Sequence, residues 1–330
     1  MTLFSNDPGA WMLTRVLRGL FSSAAPSLEI HIPISPTTAM INMARALTLS
    51  LRRNGGIYRD APVILTVGAE TLQADLPAAL PWLRPLGVEW HWLPPTEFSR
   101  DTFWTTAASR YSQRFASTMV LMLDADVLIA APFDDMVRSA HRQSALAGLI
   151  SFASPFGQHR LEGGWYRLFR EFGLPEPRLE FTHTGYGSLH RDPNFARCPA
   201  YFNQGVVCLP ATLATRMGEI LPSLMADVKA LTNTPYRLQL AIALAVAKLG
   251  APSLALPLRY NFPNLEPIET RHRREIRSAS LLHLHGSEPV SKMDLFASAE
   301  AMKAFTARAD LTGVNAAARQ VLAAVLPQMS

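Results

Sequence analysis

Residues 118–133 of the chain read TMVLMLDADVLIAAPF. Two aspartates, Asp124 and Asp126, flank one alanine in the middle of this stretch, and the residues on both sides of the pair are apolar. A short, continuous apolar run is typical of a strand that is buried on both faces, as in a parallel sheet covered by helices. The stretch therefore predicts one buried strand over residues 118–129, with a pair of carboxylates near its end.

This pair of carboxylates indicates a cation site. Carboxylates are rarely fully buried without a partner. On an extended chain the side chains at positions i and i+2 point to the same face, so Asp124 and Asp126 would converge on one point. Such a pair suits a hard divalent cation. The alternative is a strand that simply ends at the surface, with both aspartates in water.

The composition indicates a globular protein with a large core. The 330 residues are 48% hydrophobic, enough for one large domain or two closely packed ones. Two cysteines, Cys198 and Cys208, do not suggest a disulfide framework, so we expect reduced thiols in a cytoplasmic protein. The first residues lack the order of a signal peptide, and no stretch reaches the roughly 18 uncharged apolar residues of a membrane span.

The charge of the chain is modestly positive. The formal net charge is +5. It favours anionic ligands such as nucleotides, and it is compatible with peripheral contact with an anionic membrane surface. It is too weak and too dispersed to indicate binding of nucleic acid.

Strands alternate with helices along the chain, which predicts a parallel sheet covered by helices. The predicted strands span residues 28–34, 62–67, 88–93, 118–129, 145–152, 201–209, 253–258 and 280–284. The predicted helices span residues 40–51, 101–115, 213–231, 238–249 and 299–326. Because such sheets bind ligands beyond the carboxyl ends of their strands, the two aspartates lie close to the expected ligand edge.

Residues 154–199 are rich in glycine, proline and aromatic residues and show little periodicity. A loop this long in a compact domain is usually functional or mobile. We therefore expect a lid over the site, which carries Glu162, Trp165, Tyr166, His183 and Tyr186.

Three distant stretches are expected to meet at the ligand edge, since each has polar residues at or near the end of a predicted strand. They contribute the Asp124–Asp126 pair, Asn203 and His283. Two carboxylates and one imidazole form a mixed oxygen and nitrogen site that suits Mn²⁺ or Mg²⁺. Such a cation acts as a Lewis acid and neutralises a diphosphate. His285 would lie on the same face as His283 and is an alternative ligand.

Three motifs in this order carry a resemblance to a known class of enzymes. They read LMLDADVLIAAPFDDM over residues 121–136, FNQGVVCL over residues 202–209 and HLHG over residues 283–286. The chain resembles the nucleotide-sugar glycosyltransferases of the GT-A fold, and most of all glycosyltransferase family 8 and its bacterial relatives. The resemblance implies an α/β protein with a mostly parallel, mixed central sheet flanked by helices.

The same resemblance implies a domain organisation and a function. Residues 1–26 would form a lead-in, residues 27–290 the GT-A domain and residues 291–330 a helical C-terminal extension. The enzyme would move a sugar from a nucleotide diphosphate donor, with a UDP-sugar favoured, to a hydroxyl of a glycan or lipid-linked acceptor. Surface glycan synthesis in the cytoplasm, with contact to the inner membrane face, is the expected setting.

The residues that match the family motifs receive roles from the resemblance. Asp124, Asp126 and His283 would hold Mn²⁺ or Mg²⁺, and Asp124 would alternatively touch the ribose. Asn203, Gln204 and Gln239 would face the donor sugar or the acceptor as catalytic residues. The remaining donor-binding positions would be Ala125, Arg110, Ile34, Ser35 and Gly286.

The chain departs from the family pattern at three places. Residues 288–290, Glu-Pro-Val, replace a Lys-Pro-Trp that helps to hold the diphosphate, so Lys292 or an arginine of residues 271–277 would substitute. Leu238 replaces an acidic residue before Gln239, and residues 35–38, Ser-Pro-Thr-Thr, replace an aspartate and a tyrosine. These departures leave the donor and the stereochemistry open. An inverting enzyme would need a general base, for which the lid offers Glu162, Glu180, Asp192 and His183.

Two other hypotheses fit parts of the sequence. LDADVL also matches the opening motif of haloacid-dehalogenase-like phosphatases, in which the first aspartate is the nucleophile. That family needs a downstream lysine and a paired-acid motif, and the hypothesis leaves FNQGVV and HLHG without a role. The second alternative is a non-catalytic GT-A-like protein that binds a nucleotide or a partner, which the missing lysine favours.

Overall fold

The computed structural model describes residues 25–98, 102–156, 164–189, 191–232, 234–286 and 290–329. Its strands are β1 (Leu28–Ile34), β2 (Val63–Val67), β3 (Val88–Trp92), β4 (Met119–Leu123), β5 (Val127–Ile129), β6 (Leu146–Ile150), β7 (Phe181–Thr182), β8 (Arg197–Cys198), β9 (Phe202–Pro210), β10 (Ser253–Ala255), β11 (Phe262–Pro263) and β12 (Leu281–His283). Its helices are α1 (Thr38–Asn54), α2 (Thr102–Ser109), α3 (Asp134–Gln143), α4 (Gly164–Glu171), α5 (Ala211–Leu231), α6 (Arg237–Leu249), α7 (Glu266–Arg271), α8 (Lys292–Leu295), α9 (Ala299–Ala307) and α10 (Gly313–Val325).

A seven-stranded sheet in the order β10-β6-β9-β4-β1-β2-β3 forms the centre of the molecule. Strands β1, β2, β3 and β4 pair in parallel, whereas β9 is antiparallel to both β4 and β6. Every residue of β1, β2 and β4 is buried, as expected for strands with helices on both faces. The prediction of a mostly parallel, mixed sheet is confirmed.

Residues 118–129 do not form one strand, so this part of the prediction is wrong. The chain leaves β4, turns at Asp124–Asp126, and continues as β5 in a separate three-stranded sheet in the order β11-β12-β5. The backbone N–H of Val127 donates to the carbonyl of Asp124 at 3.2 Å and closes this turn. The two carboxylates therefore share a tight turn between two sheets rather than one face of an extended strand.

The C-terminal helices pack on the main core. The predicted helix over residues 299–326 is two helices, α9 and α10; α10 begins at Gly313, which has a φ of +58°. Buried side chains of both helices, such as Phe305 and Leu322, belong to the same apolar cluster as those of β1 and α1. Arg45 of α1 also donates to the carbonyl oxygens of Gln328 and Met329. The C-terminal extension therefore packs against the main core and is hydrogen-bonded to α1.

Part of the expected lid forms regular secondary structure. It contains α4 and the short β7–β8 pair. The Trp165 ring packs edge-on against Phe156 and Tyr201, with centroid distances of 4.9 and 5.0 Å, and is buried. Trp165 is thus a core residue in this structure, whereas Tyr166 beside it is 51% exposed.

Some predicted features lie outside the described residues. These are nearly all of the lead-in over residues 1–26, the candidate base Glu162, and Glu288 and Pro289 of the altered family motif. In the part of the chain that is described, no helix combines the length and the apolar character that a membrane crossing requires.

Candidate active site

Asp124, Asp126 and His283 come together at one edge of the large sheet. One ligand atom from each of these residues lies within 4.8 Å of the other two. Asp126 is 5% exposed and His283 is 2% exposed. Oxygen and nitrogen ligands at this spacing fit one divalent cation that has open coordination positions.

Backbone pairing explains why residues so distant in sequence meet here. Asp124 follows the carboxyl end of β4, and its N–H donates to the carbonyl of Gly205 in β9 at 3.0 Å. Strand β12 pairs with β5, so that His283 lies opposite Val127. The N–H of Leu284 then donates to the carbonyl of Asp126 at 3.0 Å.

Asn203 reaches the same edge because β9 runs antiparallel to β4. The FNQG motif opens β9 rather than ending a strand, and the beginning of an antiparallel strand lies beside the carboxyl end of its neighbour. This placement brings Asn203, Gln204 and Gly205 to the aspartates. Asn203 lies near the beginning of the strand predicted over residues 201–209, and the antiparallel direction of β9 explains why this beginning reaches the ligand edge.

The surroundings of Asp126 are those expected of a cation site. Its Oδ2 accepts a hydrogen bond from the ammonium of Lys292, while Nε2 of His283 lies 3.4 Å from its Oδ1. Among the described residues this buried Oδ1 has no hydrogen-bond donor. Burial alone would raise the pKa of Asp126, but the positive charge of Lys292, and of His283 when its imidazole is protonated, holds the pKa of this carboxyl below its ordinary value. The Asp124, Asp126 and His283 side chains therefore fit a divalent metal ion.

Arg110 is a fully buried cation behind Asp124. Its Nε donates to the carbonyl of Ala107 at 3.0 Å, and its Nη1 donates to the carbonyl of Leu123 at 2.9 Å. Its Nη2 lies 3.7 Å from Oδ1 of Asp124. Burial raises the pKa of Asp124, and the guanidinium opposes that rise. Arg110 thus anchors the end of β4 and supplies positive charge to one wall of the site.

A cavity of about 370 Å³ opens over these residues. This volume lies within the usual range for small-molecule sites, about 300–1,000 Å³. The cavity brings together the following residues of the predicted site: Arg110, Asp124, Ala125, Asp126, Asn203, Gln204, Gln239 and His283. Of the other predicted donor-binding residues, Ile34, Ser35 and Gly286 are described by the structure but do not line this cavity. Ser35 is one residue removed from the cavity: its N–H donates to the sulfur of Met40, and Met40 lines the cavity.

Several cavity residues were not predicted from the sequence. Met40 and Met43 come from α1, Tyr236 precedes α6, and Met293 lies in α8. Tyr236 and Met293 are 41% and 44% exposed, as expected for side chains at the mouth of a cavity. For Tyr236 the sequence contained a signal: this residue comes three positions before the predicted site residue Gln239, at the start of a helix.

The two candidate histidine ligands differ in position. His285 lines the cavity, and its ring centroid lies 5.4 Å from that of His283. The histidine that groups with Asp124 and Asp126 at metal-ligand spacing is His283. Burial and the neighbouring His283 lower the pKa of His285 to about 4. His285 is therefore neutral near pH 7 and contributes no charge to the site.

Three of the lid residues proposed as general bases lie within the described part of the chain. Glu180, Asp192 and His183 are all described, and none of them lines the cavity. His183 is 2% exposed, with Nδ1 3.0 Å from the carbonyl oxygen of Ser151, and Asp192 caps a short helix through the N–H of Asn194. Of the two proposed substitutes for the missing lysine, Lys292 lines the cavity, whereas the described arginines of residues 271–277 do not.

Gly205 gives His283 the space for its position, so Gly205→Ala is expected to damage the site. A Cβ at this position would overlap the imidazole of His283 and come within 3.0 Å of Oδ1 of Asn203. We expect a loss of about 1–3 kcal/mol in the free energy of unfolding from overpacking and at least a tenfold loss of Mn²⁺ affinity. Urea unfolding and calorimetric titration measure the two effects.

Gly173→Ala is the matched control, because Gly173 has a φ of +64° and no atom within 4 Å of an added Cβ. This variant should lose some stability through its strained backbone and keep its Mn²⁺ affinity. Equal Mn²⁺ affinity in wild type and Gly205→Ala would contradict the assigned position of His283.

Comparison with solved structures identifies the fold. An active-site mutant of LgtC matches with a TM-score of 0.54 and 14% identity, over 90% of this chain and 95% of that chain. Galactosyltransferase LgtC in complex with donor and acceptor sugar analogs matches with a TM-score of 0.53 and 14% identity over the same shares. The fold is therefore that of the GT-A glycosyltransferases.

Comparison with protein families gives the narrower identification. The Rhodobacterales glycosyltransferase domain matches residues 38–250, and the chain belongs to this family. The protein is a glycosyltransferase, which excludes the phosphatase hypothesis. The bifunctional glycosyltransferase WbbM also matches, with a TM-score of 0.48 and 13% identity over 85% of this chain, and the chain spans 50% of the length of WbbM. No curated protein sequence matches the chain.

Proposed function

We propose that this protein is a metal-dependent glycosyltransferase that moves a sugar from a nucleoside diphosphate donor to a hydroxyl acceptor. The observation that carries the proposal is the cluster of Asp124, Asp126 and His283, in which Oδ1 of Asp126 is buried beside Nε2 of His283 without a hydrogen bond. When His283 is neutral with the lone pair on Nε2, both of these atoms are acceptors, and a cation shared between them would stabilise their close approach.

The cluster would hold Mn²⁺ or Mg²⁺ in the cavity wall. When bound, such an ion supplies Lewis-acid neutralisation of the donor diphosphate as the leaving group departs. Arg110 fixes Asp124 by its ion pair and fixes the end of β4 by its hydrogen bonds to backbone carbonyls. Lys292 provides a second cation on the same wall, where it serves the diphosphate in place of the missing family lysine.

The remaining assignments extend this proposal to the substrates. Gln204 and Gln239 line the same cavity as the metal cluster and are proposed to orient the donor sugar or the acceptor hydroxyl. Ser35 and Ile34 at the end of β1 are proposed to lie near the base of a UDP-sugar, and Gly286 near its phosphates. We further propose that residues 27–290 form the catalytic domain, and that the protein acts at the cytoplasmic face of a membrane in surface glycan synthesis.

Nucleotide titration tests the central proposal. We expect UDP to bind in the presence of Mn²⁺, and we expect excess EDTA to lower its affinity by at least about 100-fold, about 2.7 kcal/mol. Isothermal titration calorimetry with UDP, GDP and CDP measures this and identifies the donor base. Absence of binding for all three nucleotides with Mn²⁺ present, or UDP binding that EDTA leaves unchanged, would contradict the proposal.

A further inference from the structure

Asn261 is a buried residue that connects two parts of the metal cluster. It is 0% exposed and precedes β11, the strand that pairs with β12. Its Nδ2 lies 2.9 Å from Oδ1 of Asn203, and its Oδ1 lies 2.9 Å from Nδ1 of His283. A single amide side chain thus links Asn203 to the histidine of the site.

The direction of each hydrogen bond in this chain follows from one backbone group. The N–H of Gly205 lies 2.9 Å from the side chain of Asn203 and can only donate, so the Asn203 atom that it meets is the oxygen. That oxygen also faces Asn261, which must therefore present its NH₂ group. The remaining Asn261 atom is then an oxygen, so Nδ1 of His283 must be the donor.

This direction decides which nitrogen of His283 carries its proton. In a neutral imidazole one nitrogen carries the proton and the other has a lone pair. With Nδ1–H donating to Asn261, the lone pair is on Nε2, which lies 3.4 Å from Oδ1 of Asp126. A metal ligand needs this lone pair directed into the site.

We propose that Asn261 is a positioning residue that fixes the Nδ1–H tautomer of His283 and so makes Nε2 available as the metal ligand. This inference rests on the proposed metal-dependent function. It also changes the role of Asn203, since the Oδ1 atom of Asn203 already accepts hydrogen bonds from Gly205 and Asn261. Asn203 orients Asn261 and touches the cavity wall, rather than using that oxygen on a substrate.

Two substitutions of Asn261 separate this role from simple packing. Asn261→Leu keeps the branched shape and the number of side-chain heavy atoms and removes the acceptor, so we expect Mn²⁺ affinity to fall about 10–100-fold, as is usual when the partner of a ligating histidine is lost. Asn261→Asp keeps an acceptor for Nδ1–H and gives up the hydrogen bond to Asn203, because its second oxygen faces Oδ1 of Asn203; we expect its Mn²⁺ affinity to remain within about threefold of wild type. The electron paramagnetic resonance signal of free Mn²⁺ measures the affinities of the full chain.

The contrast between the two variants decides the outcome. Wild-type Mn²⁺ affinity in Asn261→Leu, or an equal loss in Asn261→Leu and Asn261→Asp, would overturn the proposal. Circular dichroism shows whether each variant is folded before the titration.

The tautomer of wild-type His283 provides a second test that needs neither a variant of Asn261 nor a metal. Proton–nitrogen correlation spectra of protein labelled with ¹⁵N-histidine distinguish the two ring nitrogens, and His283→Gln assigns the signal. At pH 9 we expect the proton on Nδ1 alone. A proton on Nε2, alone or together with Nδ1, would overturn the proposal. If wild type binds no Mn²⁺, the proposed function fails, and this spectrum still tests the hydrogen-bond chain by itself.

Discussion

Asp126→Asn is expected to lower kcat/KM for glycosyl transfer by at least about 1,000-fold, since a bound metal contributes several kcal/mol and each 1.36 kcal/mol is a factor of ten. The substitution removes the negative charge that faces both His283 and Lys292. It also replaces one carboxylate oxygen by an NH₂ group, which cannot ligate a cation. Release of nucleotide from a UDP-sugar in the presence of Mn²⁺ measures the rate, and calorimetry measures the accompanying loss of Mn²⁺ affinity.

Asp135→Asn is the matched control for this experiment. Asp135 is an exposed aspartate in the first turn of α3, and its replacement makes the same change in charge outside the cavity. We expect wild-type kcat/KM and Mn²⁺ affinity for this variant. If Asp126→Asn retained the activity of Asp135→Asn, Asp126 would not be a metal ligand and the proposed mechanism would be wrong.

Arg110→Leu is expected to lower the free energy of unfolding by about 3–5 kcal/mol, the usual cost of removing one partner of a buried ion pair. The guanidinium is 0% exposed and satisfies the carbonyl oxygens of Ala107 and Leu123. Its loss leaves Asp124 without its nearest cation, in surroundings that already raise the pKa of that carboxyl. Urea unfolding at pH 7 measures the change.

The control for Arg110 is an arginine whose ion pair is exposed. Arg59 lies 3.4 Å from Asp60, and the two side chains are 65% and 83% exposed. Arg59→Leu should change the free energy of unfolding by less than about 1 kcal/mol, because solvent screens such pairs. Equal unfolding curves for the two variants would show that Arg110 does not anchor the end of β4.

The order of the strands was predictable because their apolar runs are continuous. Strands β1, β2, β4 and β9 are each wholly or almost wholly buried, and such runs stand out in a sequence without knowledge of tertiary contacts. The break at Asp124–Asp126 was not predictable in the same way. An apolar run on both sides of the pair fits one long strand as well as two short ones, and only the pairing of β5 with β12 decides between them.

The residues of the candidate site that lie at the ends of strands could be predicted from the sequence. Asp124, Asp126 and His283 were placed together from their positions along the chain, and the structure brings them within 4.8 Å. Asn261 and the contact between Lys292 and Asp126 were not foreseen, because both depend on side-chain packing between elements that are far apart in sequence. A buried asparagine leaves no periodic signal in a sequence.

The separation of β4 and β5 into two sheets has a consequence for synthesis of the chain on the ribosome. Within the described residues β12 is the only strand that pairs with β5, and the ribosome synthesises β12 long after β5. Until then the apolar Val127–Ile129 edge has unpaired backbone groups, which favour association with other chains. A nascent chain therefore holds both aspartates well before His283 is synthesised, and the Asp124–Asp126–His283 cluster is complete only after β12 has left the ribosome.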